Sequence, residues 1–315
     1  MRCKKVCLLG GSGFVGRYLL AKLVRKSVDV TLLTRRRDSC RDILQPTVNV
    51  VEVPDFSSET LQRWFAGCDT VINLIGILNE RPRQGRSFAA VHVELARNIA
   101  AAAVQSGVSR VLQMSALNAD AEAGVSAYLR SKGAAEVHLN AIAAEGVSVV
   151  HFKPSVIFGA GDSLFNRFAG LLRIAPVLPL ACPDTRFAPV YVGDVADAFS
   201  NHLDTENKKP SHVELCGPDI LTLSEIVSFT AKTLDLNRML IGLPDLAARL
   251  QGRVMNLLPG QPFTYDNYLS LQVDSVCQAG CAAQPTPIWN IVPGYLLEGG
   301  KQAHLQHLRE RAGRD

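Results

Sequence analysis

Tyr128 and Lys132 stand four residues apart in a stretch that reads as a helix, so their side chains share one face. A free tyrosine has a pKa of about 10 and is a poor proton donor to a carbonyl near neutrality. An ammonium beside it favours the phenolate and moves the group toward acid–base work. Ser115 precedes the tyrosine at the end of a strand-like run, where a hydroxyl can hydrogen-bond a substrate oxygen. A second set of residues suits an anion. Gly10, Gly11, Ser12, Gly13, Phe14, Val15 and Gly16 follow the apolar run 6–9 and open a helical pattern. A turn tight enough to press its backbone on a diphosphate has no room for side chains. The helix it opens aims unpaired N–H groups and a positive dipole end at that anion, which is how a strand–turn–helix unit binds a dinucleotide.

These groups need a scaffold, and the patterning supplies one. Apolar runs at 28–34, 48–53, 70–76, 110–115 and 147–153 read as strands. Between them, 59–65, 89–105 and 128–143 read as helices, the second alanine-rich for close packing and stopped by Gly107. Continuous apolar strands alternating with helices predict an α/β fold, a doubly wound parallel sheet covered on both faces. Ligands of such sheets lie outside the carboxyl ends of the strands, so Gly10, Thr34, Gly76, Ser115 and Pro154 should converge on one cleft. Beyond residue 160 the prolines at 176, 179, 183 and 189 mark a change of character. Short strands are expected at 186–192 and 212–216, and helices at 193–203, 223–234 behind a Thr222 cap, and 244–258. The expected division is a nucleotide-binding unit over 1–160 and a smaller C-terminal α/β lobe over 161–315, interleaved with that core, closing over the cleft and ending in a tail.

The second strand ends in Thr34, where NAD sites usually carry a carboxylate for the ribose hydroxyls, and Arg35, Arg36 and Arg37 follow. Guanidinium forks suit a phosphate dianion, so NADP(H) is favoured over NAD(H), with Arg35 and then Arg36 as first contacts. Asp55 is expected on the adenine side. Asp194 reads as a helix cap, His92 and His151 as packing groups, and Arg167 and Arg186 as candidates for an anionic substrate.

Basic and acidic residues number 33 and 29, a balance that argues against nucleic acid as a main partner. No apolar run approaches the length of a membrane span, and the run 6–9 is too short for a secretory signal. Cys3, Cys7, Cys68 and Cys216 lie in or beside strands and are expected as free thiols in a reducing, cytoplasmic compartment, at most peripheral to the inner face of a membrane. Cys277 and Cys281 have no partner pair or histidine cluster in sequence, so no metal is expected. The leucines of 244–258 are expected to pack in the small lobe; the alternative is contact with an acidic membrane surface.

Taken together, the spacing Gly10-x-x-Gly13-x-x-Gly16, the run Asn73-Leu74-Ile75-Gly76, Ser115, and Tyr128-x-x-x-Lys132 resemble the extended short-chain dehydrogenase/reductase superfamily, which includes the NAD-dependent epimerases and dehydratases. Segments 153–162, 189–196 and 258–267 look like one atypical branch. It contains the short-chain-dehydrogenase-like accessory subunit of respiratory complex I, its bacterial relatives and a protein of ubiquinone biosynthesis. The resemblance implies a nicotinamide nucleotide with its diphosphate on the 10–16 loop, contacts from Leu74, Ile75 and Gly76, and its ribose held by Lys132. Pro154, Ser155 and Val156 would flank the nicotinamide. In active members Tyr128 would donate the proton and Ser115 orient the carbonyl of a quinone or other substrate. The superfamily's hydroxyl pair is here Met114-Ser115-Ala116-Leu117. A non-catalytic subunit holding NADPH, and a nucleotide-sugar epimerase or dehydratase, are therefore the alternative expectations.

Overall fold

β1 (Lys5–Leu9) is buried at every residue but its first, a strand that needs cover on both faces. The computed structural model supplies it; residues 3, 5–41, 43, 45–81, 84–204, 209–256, 261 and 263–297 are described. From β1 the chain runs through α1 (Phe14–Arg25), β2 (Asp29–Thr34), β3 (Val48–Glu52), α2 (Ser58–Phe65) and β4 (Thr70–Asn73). A π-helical turn, Ala89–Glu94, leads into α3 (Leu95–Ser106), followed by β5 (Arg110–Met114), α4 (Ala127–Asn140) and β6 (Ser148–Pro154). Next come β7 (Ile157–Phe158), α5 (Leu164–Ile174), β8 (Val177–Leu180), β9 (Arg186–Phe187), β10 (Val190–Tyr191) and α6 (Val192–Asn201). They are followed by β11 (Ser211–Leu215), β12 (Leu221–Thr222), α7 (Leu223–Thr233), β13 (Met239–Gly242), α8 (Asp245–Met255) and α9 (Tyr265–Ser270), and 288–297 is helical.

Seven strands form one parallel sheet in the order β11-β6-β5-β4-β1-β2-β3. The winding reverses between β1 and β4, which opens the crevice where such sheets bind ligands. One face is covered by α1 and α6 through Leu19, Leu23, Val195 and Phe199, the other by α2, α3 and α4 through Phe65, Ile99, Ala103 and Leu139. Ala102 and Ala103 are fully buried, and Gly107 ends α3 in the left-handed conformation. The doubly wound sheet expected from the apolar runs is the sheet observed.

The C-terminal third departs from the expectations in several places. The strand near 212–216, β11, joins the main sheet beside β6. α5 lies where no helix was expected. The remainder packs beside the sheet around Phe165, Ile226, Ile288 and Val292, and around Leu172, Leu178 and Val227. Thr222 caps α7 as expected, in a reciprocal box with Glu225. Asp194 is not a cap: it lies inside α6 and accepts from the Thr286 amide and hydroxyl at 3.1 and 3.0 Å.

On α8 the leucines do not pack inward. Ala248 and Gly252 are buried, the glycine against the backbone of Thr264 and Tyr265, which turns Leu246, Leu250 and Val254 to solvent at 81, 61 and 52% exposure. Leu257, Leu258 and the tail beyond 297 lie outside the described residues. Cys3 and Cys7 are buried free thiols, but Cys216 is not free: it is disulfide-bonded to Cys277. No described helix is long and apolar enough to cross a membrane.

Candidate functional site

The glycine loop fits its elements closely. Gly10 has φ +81°, and a Cβ there would stand 3.0 Å from the Ile75 amide nitrogen at the end of β4. A Cβ at Gly16 would fall 2.5 Å from the Gly10 carbonyl oxygen and Gly11 Cα, so only glycine lets the first turn of α1 close on the loop. Gly13 caps α1 without a side-chain bond, which leaves the helix N-terminus facing the crevice.

Beside the loop is a cleft of about 500 Å³ lined by Gly10, Ser12, Leu33, Thr34, Arg35, Arg36, Asp38, Phe56, Ile75 and Arg86. Three arginines from two parts of the chain meet there. Arg86 was not expected, because nothing local ties residue 86 to β2. Arg35 lies over the Phe56 ring at 5.9 Å, and the Thr34 hydroxyl bonds the Arg36 backbone. Asp38 is paired with Arg41 at 2.7 Å. Asp55 spends one carboxylate oxygen on the Ser57 amide and the Ser57 and Thr60 hydroxyls at 2.7–2.9 Å, bonds that hold its carboxyl below the usual range. A larger hollow of about 720 Å³ against β3 touches neither the glycine loop nor the α4 pair.

At the other end of the crevice stands α4. Lys132 is buried and donates to the Met114 carbonyl at 3.1 Å; burial brings its ammonium down to about 8, with Glu136 opposing. A Cβ on Gly76 would be 3.0 Å from Lys132 Nζ, so the bare glycine keeps the ammonium at the mouth of the strand. His92, in the π-helical turn, accepts the Ile77 N–H at 3.0 Å through Nε2 and therefore donates from Nδ1 to Ser131 Oγ at 2.8 Å. Burial, then Lys132, hold it neutral with a pKa down to about 2. It is a bonded packing group, as expected. His151 is only half so: Nε2 meets Asn140 at 2.8 Å, while Nδ1 is buried without a partner.

Tyr128 packs edge-on against the stacked rings of Phe88 and His92, with ring centroids 5.9 and 5.8 Å away. Its hydroxyl is pushed up to about 12, by burial and then by the Asp266 charge. The shift is opposite to the expected pull of Lys132 toward phenolate. Ser115 is buried at the end of β5, and its hydroxyl donates to Glu136, which pairs with Lys153 at 2.9 Å. The tyrosine and lysine share the helix face, whereas the serine hydroxyl is committed one turn further along.

Ser155 and Arg186 have partners within the protein. Ser155 donates to the Ser275 carbonyl at 2.6 Å and accepts the Ala188 amide at 3.2 Å, bracing the 154–156 loop from behind. Arg186 is bound to Asp274 at 2.7 Å. Later residues tie the start of α4 to the chain after β4: Asp266 accepts the Ala127 and Tyr128 amides at 2.7 and 3.2 Å, and Asn79 donates to the Gln261 carbonyl at 3.2 Å. Asp266 thereby acts on Tyr128 from 138 residues away, which no local pattern signals.

Sheet, glycine loop and crevice together define a Rossmann-type nucleotide-binding protein. Residues 6–216 match the NAD dependent epimerase/dehydratase family, and the chain belongs to it. It is 26% identical over 253 residues to the NADH-ubiquinone oxidoreductase 40 kDa subunit of Neurospora crassa, an alignment covering 79% of this chain and 65% of that one. With the NADH dehydrogenase 1 alpha subcomplex subunit 9 of Arabidopsis thaliana it shares 31% over 70% of this chain and 55% of the relative. The chain thus spans less than two thirds of either. A ceramide reductase of Caulobacter vibrioides is 29% identical over 76% of this chain and 74% of its own. In fold the chain is similar to a Thermus thermophilus UDP-glucose 4-epimerase complexed with NAD, at TM-score 0.62 and 19% identity over 85% of this chain and 99% of that one.

Proposed function

We propose that this protein binds NADP(H) along the carboxyl ends of β1, β2 and β4 and reduces a carbonyl or quinone substrate held beside α4 and α9. The observation that carries this is the cleft in which Arg35, Arg36 and Arg86 share walls with Gly10 and Ser12. A guanidinium set one cleft away from a diphosphate loop is what a ribose 2′-phosphate requires. The nucleotide, when bound, supplies a hydride. The 10–16 loop holds the diphosphate by its backbone, Lys132 holds ribose hydroxyls from beside Gly76, Leu74 and Ile75 line the middle, and Pro154 to Val156 flank the nicotinamide. Tyr128 keeps its proton until substrate takes it. The reductase among the relatives supports this reading.

Titration tests the nucleotide preference: NADPH binds at least about tenfold tighter than NADH, and Arg35→Ala and Arg86→Ala each remove about tenfold from NADPH alone, the worth of a charged hydrogen bond. A wild type that prefers NADH overturns the assignment. For turnover, Tyr128→Phe lowers NADPH oxidation by about 100-fold or more across a carbonyl and quinone panel while leaving nucleotide affinity unchanged.

Two observations favour a second reading, a nucleotide that only stabilises the fold: the Ser115 hydroxyl is held by Glu136 and the Tyr128 hydroxyl is weakly acidic. In that case wild type and Tyr128→Phe oxidise NADPH alike, and NADPH raises the melting temperature through its binding energy. Either reading suits a protein associated peripherally with a respiratory complex.

A further inference from the structure

Two sulfurs and a carboxylate converge at the carboxyl end of β11, away from the nucleotide cleft, and a third sulfur is bonded to one of them. Glu214 is the penultimate residue of that strand, Cys216 follows it directly, and Cys277 and Cys281 arrive on a turn 61 residues later. Cys216 is bonded to Cys277, yet the Cys277 and Cys281 sulfurs and a Glu214 carboxylate oxygen all lie within 4.8 Å of one another. The turn is fastened to the strand. Gln278 N–H donates to Glu214 Oε2 at 2.7 Å, Cys281 S–H to the Glu214 carbonyl at 3.5 Å, and Gln284 N–H to the Cys216 carbonyl at 2.7 Å. Gly280, at φ +92°, allows the reversal between the two cysteines.

A disulfide alone explains two of these four groups. It gives no reason for a third sulfur and a carboxylate to be held at the same point. Elsewhere the chain leaves neighbouring thiols unjoined: Cys7 and Cys68 hydrogen-bond each other and remain free. Zinc binds thiolates at about 2.3 Å in tetrahedral geometry, which sets its ligands about 3.8 Å apart; the Glu214, Cys277 and Cys281 ligand atoms lie within 4.8 Å of one another, and reduction frees Cys216 from its bond to Cys277. Thiolates also select zinc over magnesium or calcium, which prefer all-oxygen sites.

We propose that, with the Cys216–Cys277 bond reduced, Cys216, Cys277, Cys281 and Glu214 bind one zinc ion. A dithiol reductant supplies two electrons and two protons, leaving Cys216 and Cys277 as thiols and itself as a disulfide. The incoming cation then displaces three thiol protons to solvent and takes three thiolates and one carboxylate oxygen; Glu214 Oε2 keeps the Gln278 amide and Oε1 faces the metal. Oxidation reverses the sequence and ejects the ion. In both states the 277–284 turn stays clamped to β11, and Ser275 stays against Ser155 behind the 154–156 loop.

The test uses the full chain purified under thiol reductant without chelator. Elemental analysis finds about one zinc per chain, and oxidation to the Cys216–Cys277 disulfide releases it. Cobalt added to the reduced wild type gives a thiolate-to-metal charge-transfer band and the intense visible absorption of a tetrahedral centre, a readout that needs no variant. Cys281→Ser lies outside the disulfide, so it leaves that bond intact; it lowers zinc affinity by about 100-fold or more, beyond what loss of an outer-shell group costs. Cys68→Ser leaves the affinity unchanged. Reduced wild type that takes up no zinc and exposes all three thiols to alkylation overturns the proposal, as does Cys281→Ser binding zinc as tightly as wild type.

Discussion

Lys132 carries charge where burial disfavours it. Its ammonium titrates near about 8 in the folded protein, below the ordinary lysine value of 10.5. Between those two values the unfolded chain binds more protons, so the nucleotide-free protein gains stability as pH rises through that window. Below it the penalty is fully present, about 3 kcal/mol. We therefore expect Lys132→Met to raise the melting temperature of the nucleotide-free protein at pH 7 and to weaken NADPH binding together; a variant that melts lower contradicts the burial argument. The Tyr128–Lys132 pair was legible in sequence because four-residue spacing on a helix is a local fact. The direction of the tyrosine's shift was not, because Asp266 and the ring packing come from distant segments. The same holds for Ser115, whose partner Glu136 is met only once α4 lies across β5.

Among elements, the glycine loop and the five strands around it were readable from apolar runs ended by turns, since all of them but the partly buried edge strand β3 are buried on both faces. α5 was hidden by the prolines that follow it, and α8 was misjudged for an instructive reason. Its leucines follow helical spacing, but the buried side is made of Ala248 and Gly252, small residues that let the helix lie against Tyr265. Periodicity marks an apolar face without saying what covers it. Here Leu246, Leu250 and Val254 remain open. Sedimentation with anionic vesicles is the measurement for this helix: wild type co-sediments, and Leu250→Glu loses about tenfold or more of the affinity, the worth of burying one leucine. Wild type that stays in the supernatant would remove lipid as the occupant.

At the scale of the whole molecule, residues 1–160 do not complete their own sheet. Phe152 on β6 is stacked on Phe199 of α6 at 3.8 Å between centroids, and the outer edge of β6 is hydrogen-bonded by β11. A fragment ending at residue 160 is expected to aggregate or to lack a cooperative melt, with an unpaired strand edge and an uncovered aromatic. A soluble fragment that melts sharply would show that the nucleotide-binding unit is closed without its later segments.

The late arrival of β11 also orders events during synthesis. More than fifty residues separate the end of β6 from the strand that seals it, an interval on the order of several seconds at cellular elongation rates. Throughout that interval the nascent sheet has an open edge, so the same connection that finishes the fold makes the growing chain depend on being shielded until the seventh strand leaves the ribosome.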